Sequence, residues 1–303
     1  MITPNDQRFM KRFAVEFMAP MAESMTPGQV TPEGYRSAMS RLDPWKNETA
    51  VPDPELAVYH PAVELRPGLS AAIAIPKGEG PFPVFVIVHG NGLAAGSSQL
   101  YRRLTRDIAA GGYIAVTPDF RLAPEHPFPA GYDDIVFTLS WVGELAGEYA
   151  GDGSRVVLWG DSLGAALAMG VVLGLADEPG APRVKAFVGA EGFYDFSNPF
   201  MAANDVTGWY VGEGGDGVRQ DKRVSPLLHV KADLDLPSIF LVTGTADFAM
   251  GPTIEFANKL NEAGIPFQLH VLEGMPHDFM KFPELDGMHE GHRLMFDYLS
   301  RSV

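Results

Sequence analysis

Arg155-Val156-Val157-Leu158-Trp159-Gly160-Asp161-Ser162-Leu163-Gly164-Ala165-Ala166-Leu167-Ala168-Met169 is the stretch that decides the fold. Its first five residues form a short apolar run, and its last five are small or helix-favouring, so a strand is predicted to give way to a helix across Ser162. The flanking glycines let the chain reverse sharply with almost no side chain beside the serine. Such a corner leaves a hydroxyl exposed at the C-terminal edge of a sheet, and the following helix aims its positive N-terminal dipole at the same point.

Outward from this corner the chain alternates strand and helix. Candidate strands are Leu56 to Leu65, Ala71 to Pro76, Val84 to His89, Tyr113 to Thr117, Arg155 to Trp159, Val184 to Gly189, Ser238 to Thr243 and Phe267 to Leu272. Candidate helices are Ser98 to Ala110, Tyr132 to Ala146, Leu163 to Leu175, Pro252 to Ala263 and Pro283 to Leu299. From Val84 onward this pattern implies parallel strands with right-handed crossovers, while the first two strands, joined by Arg66-Pro67-Gly68, read as an antiparallel edge hairpin. The fold class is therefore α/β, an eight-stranded, mostly parallel sheet flanked by helices.

Two segments lie outside the alternation. Phe9, Phe13, Phe17 and Met21 recur at four-residue steps on an amphipathic helix, and Thr31-Pro32-Glu33 reads as an N-cap opening a second helix that stops near Asp43-Pro44. Residues 1–50 are thus expected to form a helical cap, with the Gly- and Asp-rich stretch 197–223 as an insertion completing it, all within a single domain of 303 residues. The Phe9, Phe13, Phe17 row reads either as cap packing or as pocket wall.

Hydrophobic content of 46% and charged content of 20% suit a globular core. No apolar run approaches the ~18 residues of a membrane span and the first residues carry no signal-peptide core, so the expectation is a cytoplasmic protein without a membrane partner. The net charge of −15 repels nucleic acid and disfavours polyanionic substrates. With no cysteine, thiolate metal sites, iron–sulfur clusters and thiol nucleophiles are excluded.

A serine hydroxyl is a poor nucleophile near neutrality, so it needs a histidine base and an acid to orient that base. The strand from Ser238 runs into Thr243-Gly244-Thr245-Ala246-Asp247, and the last strand into Glu273-Gly274-Met275-Pro276-His277. Ser162, Asp247 and His277 then stand in the chain order nucleophile, acid, base. His270 falls inside a strand, and Asp233 and Asp235 precede one, at the wrong sheet edge. Donors for the tetrahedral oxyanion are expected from the backbone N–H groups of Asn91 and Gly92 in His89-Gly90-Asn91-Gly92, with that of Leu163.

These motifs resemble the bacterial hormone-sensitive-lipase-like family of α/β-hydrolases, esterase family IV. The family's H-G-G-G motif is matched by His89-Gly90-Asn91-Gly92, its Y-R-L-A-P-E-x-x-F-P-A segment by Phe120 to Ala130, and its G-D-S-A-G turn by Gly160 to Gly164. Its D-P-L acid is matched by Asp247-Phe248-Ala249 and its H-G-F base by His277-Asp278-Phe279. The resemblance covers about residues 55–300, with the Arg121 to Ala130 segment the most specific part. Departures cluster at the site: Asn91 and Asp278 stand where the family has glycine, and Leu163 where it has alanine.

Two further patterns are set aside. Gly212-Glu213-Gly214-Gly215-Asp216-Gly217 fits G-x-G-x-x-G but follows no clear strand and carries acids that repel a pyrophosphate. His289-Glu290-Gly291-His292 lacks the spacing that sets two zinc ligands on one helix face.

The expectation is a carboxylesterase acting on small to medium uncharged acyl esters, needing neither metal nor cofactor. Resemblance also implies a homodimer through the last strand and helix. An amide, carbamate or lactone hydrolase is the alternative on the same fold. A non-catalytic small-molecule receptor is a third reading, disfavoured because the triad is complete.

Overall fold

The computed structural model describes residues 2–24, 26, 28–175 and 183–303. Each expected strand forms, with ends shifted by a few residues: β1 Val58–Arg66, β2 Leu69–Ile75, β3 Phe82–Val88, β4 Ile114–Pro118, β5 Gly151–Asp161, β6 Val184–Ala190, β7 Ser238–Ala246 and β8 Phe267–Pro276. They join one sheet in the order β1-β2-β4-β3-β5-β6-β7-β8. β1 pairs antiparallel with β2, and β2 antiparallel with β4. All later neighbours are parallel.

Period-two alternation sorts the central strands onto two cores. Val84, Val86, Val88, Leu158 and Leu241 face one layer, and Phe85, Ile87, Val157, Trp159 and Val242 the other. The helices in chain order are α1 Pro4–Phe13, α2 Ala19–Ser24, α3 Pro32–Ser40, α4 Asp43–Asn47, α5 Arg102–Ala110, α6 Ala130–Leu145 and α7 Leu163–Leu175. They continue with α8 Pro199–Ala202, α9 Asp205–Val211, α10 Gly215–Arg219, α11 Met250–Glu262 and α12 Asp286–Ser302. Residues of α6, α7 and α11 fill the first core, and those of α5 and α12 the second. α7 is buried along its whole length, as a helix apolar on every side must be.

Thr31 caps α3 by accepting the Gly34 N–H at 3.1 Å. The second helix does not run on to Asp43-Pro44: it ends at Ser40, and Pro44 lies in the first turn of the separate helix α4. Proline is well tolerated in a first turn, where its missing N–H has no intrahelical acceptor to lose. The aromatic row also departs from a simple helix. A four-residue step over-rotates a helix of 3.6 residues per turn by about 40°, and the wider π turn at Ala14–Met18, between α1 and α2, counters that drift. Phe9, Phe13 and Phe17 all remain buried in consequence.

The two cap pieces meet above the loop after β3. A Cβ on Gly92 (φ +69°) would lie 2.5 Å from the Tyr35 hydroxyl of α3 and 2.5 Å from Val206 of α9. The Arg121 to Ala130 segment braces this arrangement. Arg36 of α3 donates to Glu125 at 2.9 and 2.5 Å and to the Ala94 carbonyl at 2.9 Å, while Arg121 grips Asp134 through two 2.9 Å bonds. No helix among the described residues is long and apolar enough to cross a membrane.

Candidate active site

Ser162 occupies the corner between β5 and α7 with φ +52°, a left-handed conformation rare outside glycine. The corner is held by the bond from the Ser162 N–H to the Ala190 carbonyl, 3.0 Å. Its glycines are required by close approach: a Cβ on Gly160 would meet the Gly164 carbonyl oxygen at 2.4 Å, and one on Gly164 the Val88 carbonyl oxygen at 2.5 Å. Strain concentrated at an otherwise well-packed turn is characteristic of a presented nucleophile.

β7 runs into Asp247 and β8 into His277. The His277 Nδ1–H donates to Asp247 Oδ1 at 2.7 Å, leaving Nε2 as the ring's acceptor. Asp247 itself has further partners. It also accepts from the Ala249 N–H and the Thr243 hydroxyl, each at 2.8 Å, and its side chain is buried. Phe248 lays its ring against the imidazole, centroids 4.2 Å apart. Asp233 is on the loop before β7, and His270 packs on Phe240 within β8, both away from this group.

The loop expected to receive the oxyanion is a run of left-handed residues, Asn91 at φ +50°, Gly92 at +69° and Leu93 at +57°. Asparagine is among the few residues that adopt this region cheaply, which accounts for Asn91 in a glycine position. Asn91 opens a 3₁₀ turn and Leu163 opens α7, so their N–H groups belong to the orphan donors of first turns. The Asn91 Nδ2 is buried without a hydrogen-bond partner. Asn91→Gly is expected to change kcat by less than about tenfold, because the backbone donor is kept and the matching family position is glycine. A hundredfold drop in a folded variant would instead make the amide a working donor. His89, stacked on Phe120 at 4.2 Å, is pushed down to about 4 by burial and stays neutral.

Ser162, His277, Asn91 and Gly92 open together onto one cleft of about 510 Å³, including its mouth. The opposite wall is apolar, built by Phe13, Phe17, Met18, Met21, Met39 and Leu42 from the N-terminal helices. The aromatic row therefore serves both ends: Phe9 packs on Trp45 and Phe282 (centroids 5.2 and 5.3 Å), Phe13 packs on the same two rings (5.0 Å each), and Phe13 and Phe17 also face the cleft.

Burial opposes the charged form of His277, but the bond and charge of Asp247, with Asp278 and Glu191 nearby, raise its pKa above the usual value. As a base the ring must be neutral, so kcat/KM is expected to fall as the pH drops, with its inflection on the basic side of the ordinary histidine value near 6.5. A profile flat from about pH 5 to 8, with chemistry limiting, contradicts a histidine base.

Glu191, Lys46 and Lys281 surround this site unannounced by any motif. Glu191 is buried at φ +53°, is pushed up to about 8 by burial, and accepts the Asp278 N–H at 2.7 Å. Among the described residues, Glu191, His277 and Asp278 are the group whose ligand atoms come within 4.8 Å of one another. Asp278 is already paired with the ammonium groups of Lys46 and Lys281, so a metal cation placed there meets two positive charges.

The profile of the alpha/beta hydrolase fold matches residues 85–281. The Carboxylesterase NlhH of Mycobacterium tuberculosis (strain ATCC 25618 / H37Rv) is 33% identical over 216 residues, 66% of this chain and 67% of that protein. The Ethyl acetate hydrolase of Pseudomonas putida is 28% identical over 207 residues, 64% of this chain and 65% of that one. Among solved structures, EstE1, a thermostable carboxylesterase from a metagenomic library, superposes with a TM-score of 0.79 at 24% identity over 90% of this chain and 98% of its own. The match over residues 85–281, together with the carboxylesterase relative, shows that this chain belongs to the alpha/beta hydrolase family.

Proposed function

We propose that the protein is a carboxylesterase cleaving small to medium uncharged acyl esters through an acyl-enzyme. Ser162 Oγ attacks the ester carbonyl while His277 Nε2 takes its proton. Asp247 holds the imidazole in the required tautomer and stabilises it once charged. The N–H groups of Asn91, Gly92 and Leu163 receive the oxyanion, and His277 returns its proton to the departing alcohol. Water then enters by the same base, releases the acid and regenerates Ser162.

The observation that carries this reading is the apolar wall of Phe13, Phe17 and the methionines facing Ser162 across the cleft. A bare apolar wall gives no hydrogen-bond partner to a charged or strongly polar acyl group, whose burial there is costly. A series of p-nitrophenyl esters of rising acyl length, beside matched amides, carbamates and lactones, tests it. Esters of neutral acids are expected to lead, and Phe17→Ala is expected to move the optimum toward longer acyl chains. An amide or lactone preferred over every ester overturns the proposed bond.

The same reading has the enzyme cytoplasmic, acting without nucleic acid or membrane, as its charge of −15 favours. A homodimer through β8 and α12 belongs to it as well, supported by the place of β8 at one end of the sheet.

A further inference from the structure

Ser162 and His277 are not brought together by the sheet itself. β5 and β8 are separated by β6 and β7, so the strand ends that carry the two residues stand three strand spacings apart, about 14 Å. Their loops must lean toward each other and be held there. Behind them lies a buried chain of charges that joins those loops to the oxyanion loop and to the cap.

Lys281 Nζ lies 2.5 Å from Oδ2 of Asp161, the residue before the nucleophile, and is also paired with Oδ1 of Asp278, the residue after the base. The same Asp161 oxygen accepts from the Tyr101 hydroxyl at 2.7 Å, and that hydroxyl accepts the N–H of Gly90 in the oxyanion loop at 3.1 Å. The second Asp161 oxygen accepts from the Trp159 indole at 3.2 Å. Lys46 of α4 closes the chain from the cap, 3.1 Å from Asp278 Oδ2. Two ammonium groups thus balance two carboxylates, and all four residues are buried. Burial alone would lower the Lys281 ammonium, but Asp161 and Asp278 hold it well above its usual range.

We propose that Lys281 is a positioning residue: by tying Asp161 to Asp278 it fixes Ser162, His277 and the oxyanion loop in one register. Buried ion pairs add little stability over well-packed apolar side chains, so their distinctive contribution is geometric. Asp278 is suited to the task because its φ of +71° turns the base loop where the family has glycine while adding the carboxylate that Lys281 grips. Its own N–H is held by Glu191 from the opposite side. The base loop is therefore clamped between β6 and the nucleophile corner.

This inference rests on Ser162 as nucleophile, and the test separates the two. Fluorophosphonate labelling, abolished by Ser162→Ala, counts working sites and judges the nucleophile alone. Turnover per labelled site judges Lys281. Lys281→Met leaves Asp161 and Asp278 to share one ammonium and risks misfolding, so Asp161→Asn with Lys281→Met is made beside it, which cuts the tether while leaving Lys46 paired with Asp278. The double variant is expected to lose about 10²-fold in kcat per labelled site, the effect of a displacement near 1 Å, with KM within about threefold. In Lys281→Met the acid limb of kcat/KM is expected to move to higher pH. His277 faces Asp247, Asp278 and Glu191 there with one cation fewer, and the double variant reverses that shift. Per-site kcat within about threefold of the parent in the double variant overturns the proposal, as does a loss confined to melting temperature and labelled sites, or failure of both variants to fold.

Discussion

Ser162→Ala is expected to lower turnover by about 10⁴-fold or more while leaving the melting transition near its parent value. What remains is catalysis by the oxyanion donors and by binding alone, which in serine hydrolases amounts to about 10³–10⁴ over water. The fold should tolerate the change because the corner is anchored without the Ser162 hydroxyl, by the backbone bond to Ala190, the close packing of Gly160 and Gly164 and the side-chain bonds of Asp161. Relief of the left-handed backbone is not expected, since alanine is as strained there as serine. Labelling by a fluorophosphonate should vanish with activity. Labelling that persists in the alanine variant removes Ser162 from the mechanism.

Asp247→Asn is expected to cost almost as much, roughly 10⁴-fold in kcat, although it changes one atom. In the parent, Oδ1 accepts from His277 Nδ1 and the Ala249 N–H, and Oδ2 from the Thr243 hydroxyl. An asparagine that keeps its oxygen toward Ala249 and His277 turns its NH₂ onto Thr243, whose hydroxyl can rotate to accept it, but it no longer offers a negative charge to the imidazolium. One that flips presents NH₂ to Nδ1 and forces the tautomer with the proton on Nε2, which cannot accept from Ser162. Both outcomes slow the proton transfer, and the second stops it. Because Asp247 is buried and its partners survive, the variant should fold, so the loss belongs in kcat. Activity matching the parent would move the acid elsewhere, and Glu191 and Asp278 are buried carboxyls that each place an oxygen within 4.8 Å of a His277 ring nitrogen.

How far the sequence carried the architecture follows from where the signal is local. The eight strands were readable because each is a short, mostly apolar run bounded by turn residues, and their alternation with helices leaves few topologies open. The serine corner was readable for the same reason, since strand, glycine, serine, glycine and helix occupy fifteen consecutive residues. Asp247 and His277 followed from their places just beyond predicted strands, at the sheet edge where Ser162 also sits. The break between α3 and α4 was not readable, because Pro44 serves equally as a stop and as a first-turn residue. Nor was the division of labour along the aromatic row. Phe9 and Phe13 carry the same periodicity and both pack on Trp45 and Phe282, yet only Phe13, with Phe17, also lines the cleft.

The sequence by itself determined the α/β alternation, the strand-to-helix corner at Ser162 and the placing of Asp247 and His277 just beyond strands, all of which depend on residue type and spacing within short windows. The tertiary structure alone decided the order β1-β2-β4-β3-β5-β6-β7-β8, the closure of the two cap pieces over Gly92, and the buried chain from Lys46 through Asp278 and Lys281 to Asp161. Lys46 and Asp278 are neighbours in space but lie at opposite ends of the chain, and neither sits in a repeating pattern. A lysine becomes a buried counter-ion only once burial strips its water and leaves the carboxylates as partners, and that follows from packing rather than from composition.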